Sequence, residues 1–410
     1  MEHRLQSDAM KIIRGAIRAV QPDGAVVKAL AGKEFPGRVI LVSVGKAAWQ
    51  MARAAHGCLG GRIDGGIVIT KYGHAKGKIG NFRIFEAGHP VVDENSFRAT
   101  RAALELVRGL GGEDTVLFLL SGGGSALFEM PLIPDGELGE ISRQLLASGA
   151  DIVEVNTVRK RLSAVKGGRF GEICAPARVF SVVLSDIVGD PLDMIASGPA
   201  CPDSSTCAQA LAVAEKYGLR LSRQARECLC RETPKELPNA AAEITGSVRA
   251  LCAAAAEICR ELGYEPRILT DRLGGEARAA GEFLASVARC YAGEGRKLAF
   301  LAGGETVVKV TGSGKGGRNQ ELALSAAEGI AGLENVLIFS VGSDGTDGPT
   351  DAAGGMVDGS TARVLAEKGI SIPKVLSDND SYHALDACGG LIFTGSTGTN
   401  VNDMAVVLIG

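Results

Sequence analysis

Aromatic residues make up only 4% of this 410-residue sequence, and none of its ten cysteines forms a C-x-x-C pair. The cysteines are scattered from Cys58 to Cys388, and Cys228 and Cys230 stand in a polar helical stretch with no second pair nearby. This argues against a zinc ribbon or a disulfide scaffold and for reduced, mostly packed thiols. Charge of one sign is also missing: 44 basic residues face 47 acidic ones, for a net charge of −3 without a long block of either. A nucleic-acid footprint is therefore not expected. No apolar run approaches the roughly 18 residues of a membrane span. The opening stretch MEHRLQSDAMKIIRGAIRAV reads as an amphipathic helix capped by Ser7, with none of the continuous apolar core of a signal peptide, so a cytoplasmic protein is expected. Histidine is scarce as well, at positions 3, 56, 74, 89 and 383, and only His89 in AGHPVVD lies near a candidate loop. A serine or cysteine triad has no convincing members, and His89 reads first as a hydrogen-bonded loop histidine.

What is abundant is glycine, 56 residues, on a background that is 46% apolar. That combination fits an α/β protein rich in tight turns. A single core stops growing at about 250–300 residues, so two domains are expected. Strand patterns at 38–44, 65–70, 82–86, 115–120 and 178–185 alternate with helical ones, which predicts a Rossmann-like, largely parallel sheet with helices on both faces. Pro234 and Pro238 break the pattern, and the boundary is placed near 232–242, giving domains 1–236 and 237–410. The second, smaller domain reads as mixed α/β, with adjacent strands at 297–302 and 306–310, and its last strand is free to return to the first domain.

The chemistry concentrates in turns that follow strands. RVILVSV runs into Gly45 and Lys46 ahead of a helix, where a cation meets the positive end of the macrodipole. A bound anion would reverse that cost. TVLFLL runs into Ser121, Gly122, Gly123, Gly124 and Ser125, a phosphate-cradle composition although no Walker A pattern occurs. GGETVVKVTGSGKGGRNQELAL (303–324) carries Lys315 and Arg318 from a β-branched run into a helix, the layout of an anion site. Gly312 to Gly317 also fits G-x-G-x-x-G, yet no acidic residue is clearly placed for a ribose. Asp186 and Asp190, in VVLSDIVGDPLDMIASGP, are oxygen ligands of the kind Mg²⁺ uses, or else Asx-turn residues. The polar loops holding Asp344 and Asp347, and then Asn400, supply further donors and carboxylates, or are turns only. Glycine loops, cations and a carboxylate-held metal suit phosphoryl transfer, where positioning and charge neutralisation dominate.

Taken together, VGKAAWQMA (44–52), AGHPVVDENS (87–96), LLSGGGSALF (119–128), VNTVRKRLSAVKGGR (155–169), LSDIVGDPLDMIASGP (184–199), the 302–324 segment, GSDGTDGPTDAAG (342–354), SDNDSYHAL (377–385) and TGSTGTNVNDM (394–404) make the chain resemble the class II glycerate kinases, its second half similar to the MOFRL domain. The resemblance implies transfer of phosphate from ATP to the 2-hydroxyl of D-glycerate, with ADP and 2-phosphoglycerate as products and a divalent metal, in a cleft between two α/β domains. It puts the family's lysine on Lys46 and its arginine on Arg318, both expected to be catalytic by neutralising the transferred phosphoryl group or the glycerate carboxylate. Ser121 to Ser125 and Lys315 are then expected to hold nucleotide phosphates, Asp186 or Asp190 to hold Mg²⁺, and Asn156, Lys160, Asp344, Asp347 and Asn400 to line the substrate cleft. Expected partners are D-glycerate and ATP, with no nucleic acid or membrane, in a monomer or homodimer. The alternative is an NAD(P)H-dependent hydroxypyruvate reductase, suggested by Gly312 to Gly317.

Overall fold

In the computed structural model, which describes residues 2–410, twelve strands fall into two sheets of six. The first contains β1 (Val39–Val44), β2 (Ile63–Lys71), β3 (Arg83–Ala87), β4 (Thr115–Leu120), β5 (Arg178–Leu184) and β6 (Ala240–Gly246), in the order β3-β2-β1-β4-β5-β6. Strands β1 to β5 pair in parallel. The runs VILVSV and TVLFLL are buried at every position, as strands covered on both faces require. Trp49, Met51 and Ala52 of the helix Ala48–Leu59 pack on Leu41, Leu117 and Leu119, while Phe118, Phe128 and Phe170 form an aromatic cluster of their own. The strand order reverses between β1 and β4. In an open parallel sheet that reversal opens a crevice at the strands' carboxyl ends, where ligands bind.

The second sheet contains β7 (Glu265–Leu273), β8 (Leu298–Gly304), β9 (Val336–Gly342), β10 (Gly354–Asp358), β11 (Leu391–Ile392) and β12 (Asp403–Ile409), in the order β11-β10-β9-β12-β8-β7. It is mixed: β7 and β8 are parallel, whereas β12 runs antiparallel to both β8 and β9. The final strand thus stays in this sheet rather than joining the first. Its opening residue, Asp403, lies opposite Gly304 and Gly342, so a carboxylate is delivered to the point where two neighbouring strands end.

The fold divides into two units, one made of Pro22–Ser185 and Asp190–Thr245, the other of the chain up to Gln21, Asp186–Gly189 and Gly246–Gly410. The N-terminal helix Glu2–Ala19 belongs to the second, where Leu5, Ile12, Ile13 and Ile17 pack with Val248, Leu251 and Ala255 of the helix Val248–Glu261. Because that helix starts at Glu2, Ser7 lies inside it on an exposed position instead of capping it. A second departure concerns 306–310: this β-branched run makes only one isolated bridge, between Val307 and Glu276, and leaves Val307 and Val310 exposed. It belongs to a loop, since strand propensity without a partner ladder forms no strand. No helix among the described residues is long and apolar enough to cross a membrane.

Candidate functional site

In the first unit, the loops leaving β1 and β4 are stitched together at the sheet reversal. Lys46 N–H donates to the Gly122 carbonyl at 2.9 Å, and Ala47 N–H to Ser121 Oγ at 3.1 Å. Gly45 adopts φ 124°, and a Cβ there would lie 2.2 Å from Ser121 Oγ, so only glycine fits. Ser121 therefore works as a staple. The next four residues are different: among the described residues no acceptor receives the backbone N–H of Gly122, Gly123, Gly124 or Ser125. Buried or half-buried amides are almost always paired, so four adjacent ones without an acceptor mark a place for an external anion.

A lysine and a histidine border that place. Lys46 is exposed, with no ion pair among the described residues, and its carbonyl is held by His74 Nδ1 at 3.0 Å. His89, half-buried after β3, stands close enough to the loop that a Cβ on Gly123 would lie 3.0 Å from its Cδ2. Burial, and then the charges of Lys46, Lys71 and His74, push the His89 pKa below its ordinary 6.5, so the ring is neutral at pH 7. The loop histidine expected from sequence thus faces the anion loop itself.

On the other side of the loop, Ser125 Oγ meets Ser197 Oγ at 3.0 Å, and Ser197 Oγ donates to Asn156 Oδ1 at 3.0 Å. Ala196 and Ser197 hold φ of 51° and 62°, and Asp190 holds 55°. Three non-glycine residues in the left-handed region within eight positions is stored strain of the kind found at sites. Lys160, by contrast, is fully buried and ion-paired with Asp193 at 3.1 Å and Asp203 at 3.0 Å, so its charge is neutralised within the fold. Asp190 Oδ1 is buried without a hydrogen-bond partner, an orphaned oxygen that suits a cation. Asp186 falls in the other unit, and no group of three or more His, Cys, Asp or Glu side chains able to hold a metal occurs among the described residues. All ten cysteines are free.

Charge accounting singles out one more side chain. The helix Ile152–Arg161 ends in Arg159, Lys160 and Arg161. Arg161 is paired with Asp203 and Glu232, and the buried Lys166 with Glu129 at 2.8 Å. Arg159, half-buried beside Glu129 and Lys166, has neither an ion pair nor a hydrogen bond from its guanidinium among the described residues.

In the second unit, the glycine loop after β8 is built on other terms. Thr311 and Gly312 N–H donate to Asn379 Oδ1, Ser313 N–H to Asp378 Oδ1, Gly314 N–H to the Asp378 carbonyl and Lys315 N–H to Asp380 Oδ1. Its glycines make room for that strip of chain: a Cβ on Gly312 would sit 2.3 Å from Asp378 Cα, and one on Gly314 2.4 Å from Asp380 Cβ. Residues some 65 positions away thus occupy the amides of 311–315, while among the described residues no acceptor receives the N–H of Gly316, Gly317 or Arg318, so the open amides of this loop are confined to its last residues and the helix start. In the first turn of the helix Arg318–Gly329, Asp347 accepts from Asn319 N–H at 3.1 Å and Gln320 N–H at 2.9 Å. Burial raises the Asp347 pKa to about 6 despite those two donors.

Lys315 lies over the Tyr382 ring at 4.1 Å from its centroid. Arg318 is held by Asp403, with Nη2 to Oδ1 at 3.1 Å and a second bond through Nε, and by Glu305 at 3.2 Å. Glu305 also accepts from Asn402 Nδ2 at 3.1 Å. Asp344 Oδ1 accepts from Thr346 N–H at 2.9 Å, and the exposed Asn400 from Asn402 N–H at 3.3 Å, so both make local turn bonds. Ser197, Glu305 and Asp403 were not singled out by sequence reasoning. The β12 register explains Asp403, and nothing local marked the other two.

Comparison with known proteins identifies the family. Residues 8–230 match the model of a domain of unknown function, DUF4147, and residues 298–403 that of the MOFRL family. The chain is 53% identical to the D-glycerate 2-kinase of Thermotoga maritima over 99% of its own length and 98% of that protein's. It is 39% identical to a putative hydroxypyruvate reductase of Agrobacterium vitis, over 98% of this chain and 93% of the other. The crystal structure of a glycerate kinase from Thermotoga maritima, 52% identical and covered completely in both directions, superposes with a TM-score of 0.96. The chain belongs to the glycerate kinase family with a C-terminal MOFRL domain.

Proposed function

We propose that the protein phosphorylates D-glycerate at its 2-hydroxyl with ATP, giving 2-phosphoglycerate and ADP, and that side chains of both units serve this one reaction. The observation that carries the reading is the run of four unpaired N–H groups at 122–125 beside the unpaired Lys46. Such a cradle binds phosphate oxygens by geometry, and Lys46 supplies the charge that offsets what develops on the transferred group. His89, neutral and adjacent, is suited to accept the proton of the hydroxyl that attacks. Arg318, with its position held by Asp403 and Glu305, is assigned to the same reaction by its match to the family arginine.

Asp190, with Asp186 as the second candidate, would hold Mg²⁺ through the oxygen that has no partner in the fold. When bound, the metal neutralises phosphate charge. Incubating the purified protein with ATP, Mg²⁺ and D-glycerate and reading the product by ³¹P NMR tests all of this. A 2-phosphoglycerate signal that vanishes with EDTA is expected, and 3-phosphoglycerate or no phosphoester would overturn the regiochemistry or the reading. A reductase reading draws on the Agrobacterium vitis relative's name, but the first three amides of the G-x-G-x-x-G run that suggested it are occupied by Asp378 and Asn379. NADH oxidation with hydroxypyruvate is expected to be absent.

A further inference from the structure

The charged residues around the buried Glu129 do not balance. Lys166 Nζ contacts Glu129 Oε2 at 2.8 Å and also donates to the Phe128 carbonyl, while Glu129 Oε1 accepts from Met130 N–H. That pair is complete. Arg159 brings a second cation into the same electrostatic neighbourhood and finds no carboxylate, carbonyl or hydroxyl of its own. Its two neighbours in sequence illustrate the contrast, since Lys160 reaches Asp193 and Asp203, and Arg161 reaches Asp203, Ser205 and Glu232. A guanidinium loses hydration when buried, and a fold that pairs three of four adjacent cations has left the fourth for something else.

Its placement says where. Asn156 and Arg159 are three apart on one helix, so they share a face, and Asn156 is the residue that touches Ser197, which in turn touches Ser125 of the anion loop. Lys166 is tied to Phe128, one residue past the short helix Gly124–Leu127 that the loop opens. We infer that Arg159 binds the carboxylate of the small hydroxy acid, gripping it bidentately next to Asn156 and Ser197 while the 122–125 amides and Lys46 hold phosphate. This rests on the kinase reading above. It makes Arg159 a specificity residue: a planar fork matches a planar carboxylate, and the residue rejects the corresponding alcohol, which would leave the cation buried and unpaired.

The test compares wild type with Arg159→Gln and Arg159→Lys, by initial rates with D-glycerate and ATP varied separately and by calorimetric titration of D-glycerate without nucleotide. Arg159→Gln should raise KM for D-glycerate at least tenfold, leave KM for ATP within about twofold, and weaken direct binding in parallel. Arg159→Lys should recover only part of this. Thermal midpoint should stay level or rise in Arg159→Gln, because an unpaired cation has been removed. Unchanged glycerate affinity, a KM increase for ATP instead, or a lowered midpoint with normal glycerate binding would each overturn the assignment. Wild type that binds D-glycerate yet transfers no phosphate would sink the kinase reading, while the binding comparison would still decide Arg159.

Discussion

Truncating Lys46 and truncating Arg318 are different experiments, because only one of these cations is already neutralised. Lys46 sits unpaired ahead of the helix Ala48–Leu59, where the dipole disfavours a cation by about 0.3–1 kcal/mol. Lys46→Ala should therefore leave the thermal midpoint level or slightly higher while turnover falls by roughly 10²- to 10³-fold. A lowered midpoint with near-normal turnover would make Lys46 structural. Arg318 balances Asp403 and Glu305, so Arg318→Ala strands two carboxylates and should cost on the order of 1–3 kcal/mol, discounted because a third of the side chain is in solvent. Activity loss in that variant is read only after its midpoint is known. Asp347 gives a pH signature. Its native pKa of about 6 lies above the ordinary 3.8, so the folded state holds the extra proton between those values, and this group's contribution to stability falls as pH rises from about 4 to 6. The size is about 3 kcal/mol at full ionisation. Subtracting the stability–pH curve of Asp347→Asn from that of wild type should reveal this fall, and a flat difference would show the carboxyl to be unperturbed.

Two glycine loops of similar composition follow strands in this chain, and they dispose of their amides differently. The loop at 122–125 leaves four in a row open, whereas the amides of 312–315 go to Asp378, Asn379 and Asp380. Gly123→Ala forces a left-handed alanine toward His89, a cost of about 1–2 kcal/mol, and should raise KM for ATP more than it lowers stability. Gly314→Ala drives a methyl into Asp380 and should instead lower the thermal midpoint by several degrees. If the two variants behaved alike, the hydrogen-bond accounting that separates the loops would be wrong. The strands that frame the site, VILVSV and TVLFLL, were legible because continuous apolar runs bounded by turns have one reading in a parallel sheet. The division of labour between the loops was not, since it depends on a partner segment far along the chain. β6 was missed because it opens inside the stretch placed as the domain boundary, and β10 because it opens on Gly354 and Gly355, where a side chain on the first would strike the Ser340 carbonyl at 2.0 Å. The false strand at 306–310 has the converse cause, a β-branched run with no ladder to join.

At the scale of the molecule, the chain's first residues complete the unit that its last residues form. The stripe Met10, Ile13, Ile17, Val20 announced an amphipathic helix, but periodicity names a face and not what covers it. The cover is the helix Val248–Glu261, packed so closely that a Cβ on Gly15 would lie 2.4 Å from Ile258 Cδ1, with Tyr264 Oη donating to the buried Asp8 at 3.1 Å. Burial of Leu5, Ile12, Ile13 and Ile17 contributes about 1.5–3 kcal/mol each, an upper bound of roughly 6–12 kcal/mol together. A domain's whole net stability is about 5–15 kcal/mol. Deleting residues 1–21 should thus unfold the second unit and leave the first folded, since Leu41, Leu117 and Leu119 of β1 and β4 belong to a separate core cluster among the described residues. Hydrogen exchange read by mass spectrometry distinguishes the two, with amides of β8, β9 and β12 losing protection in the truncated chain while those of β1 and β4 keep theirs. Retained protection in β8, β9 and β12 would mean that the sheet stands without its N-terminal cover, and that the stripe is an accessory rather than part of the core.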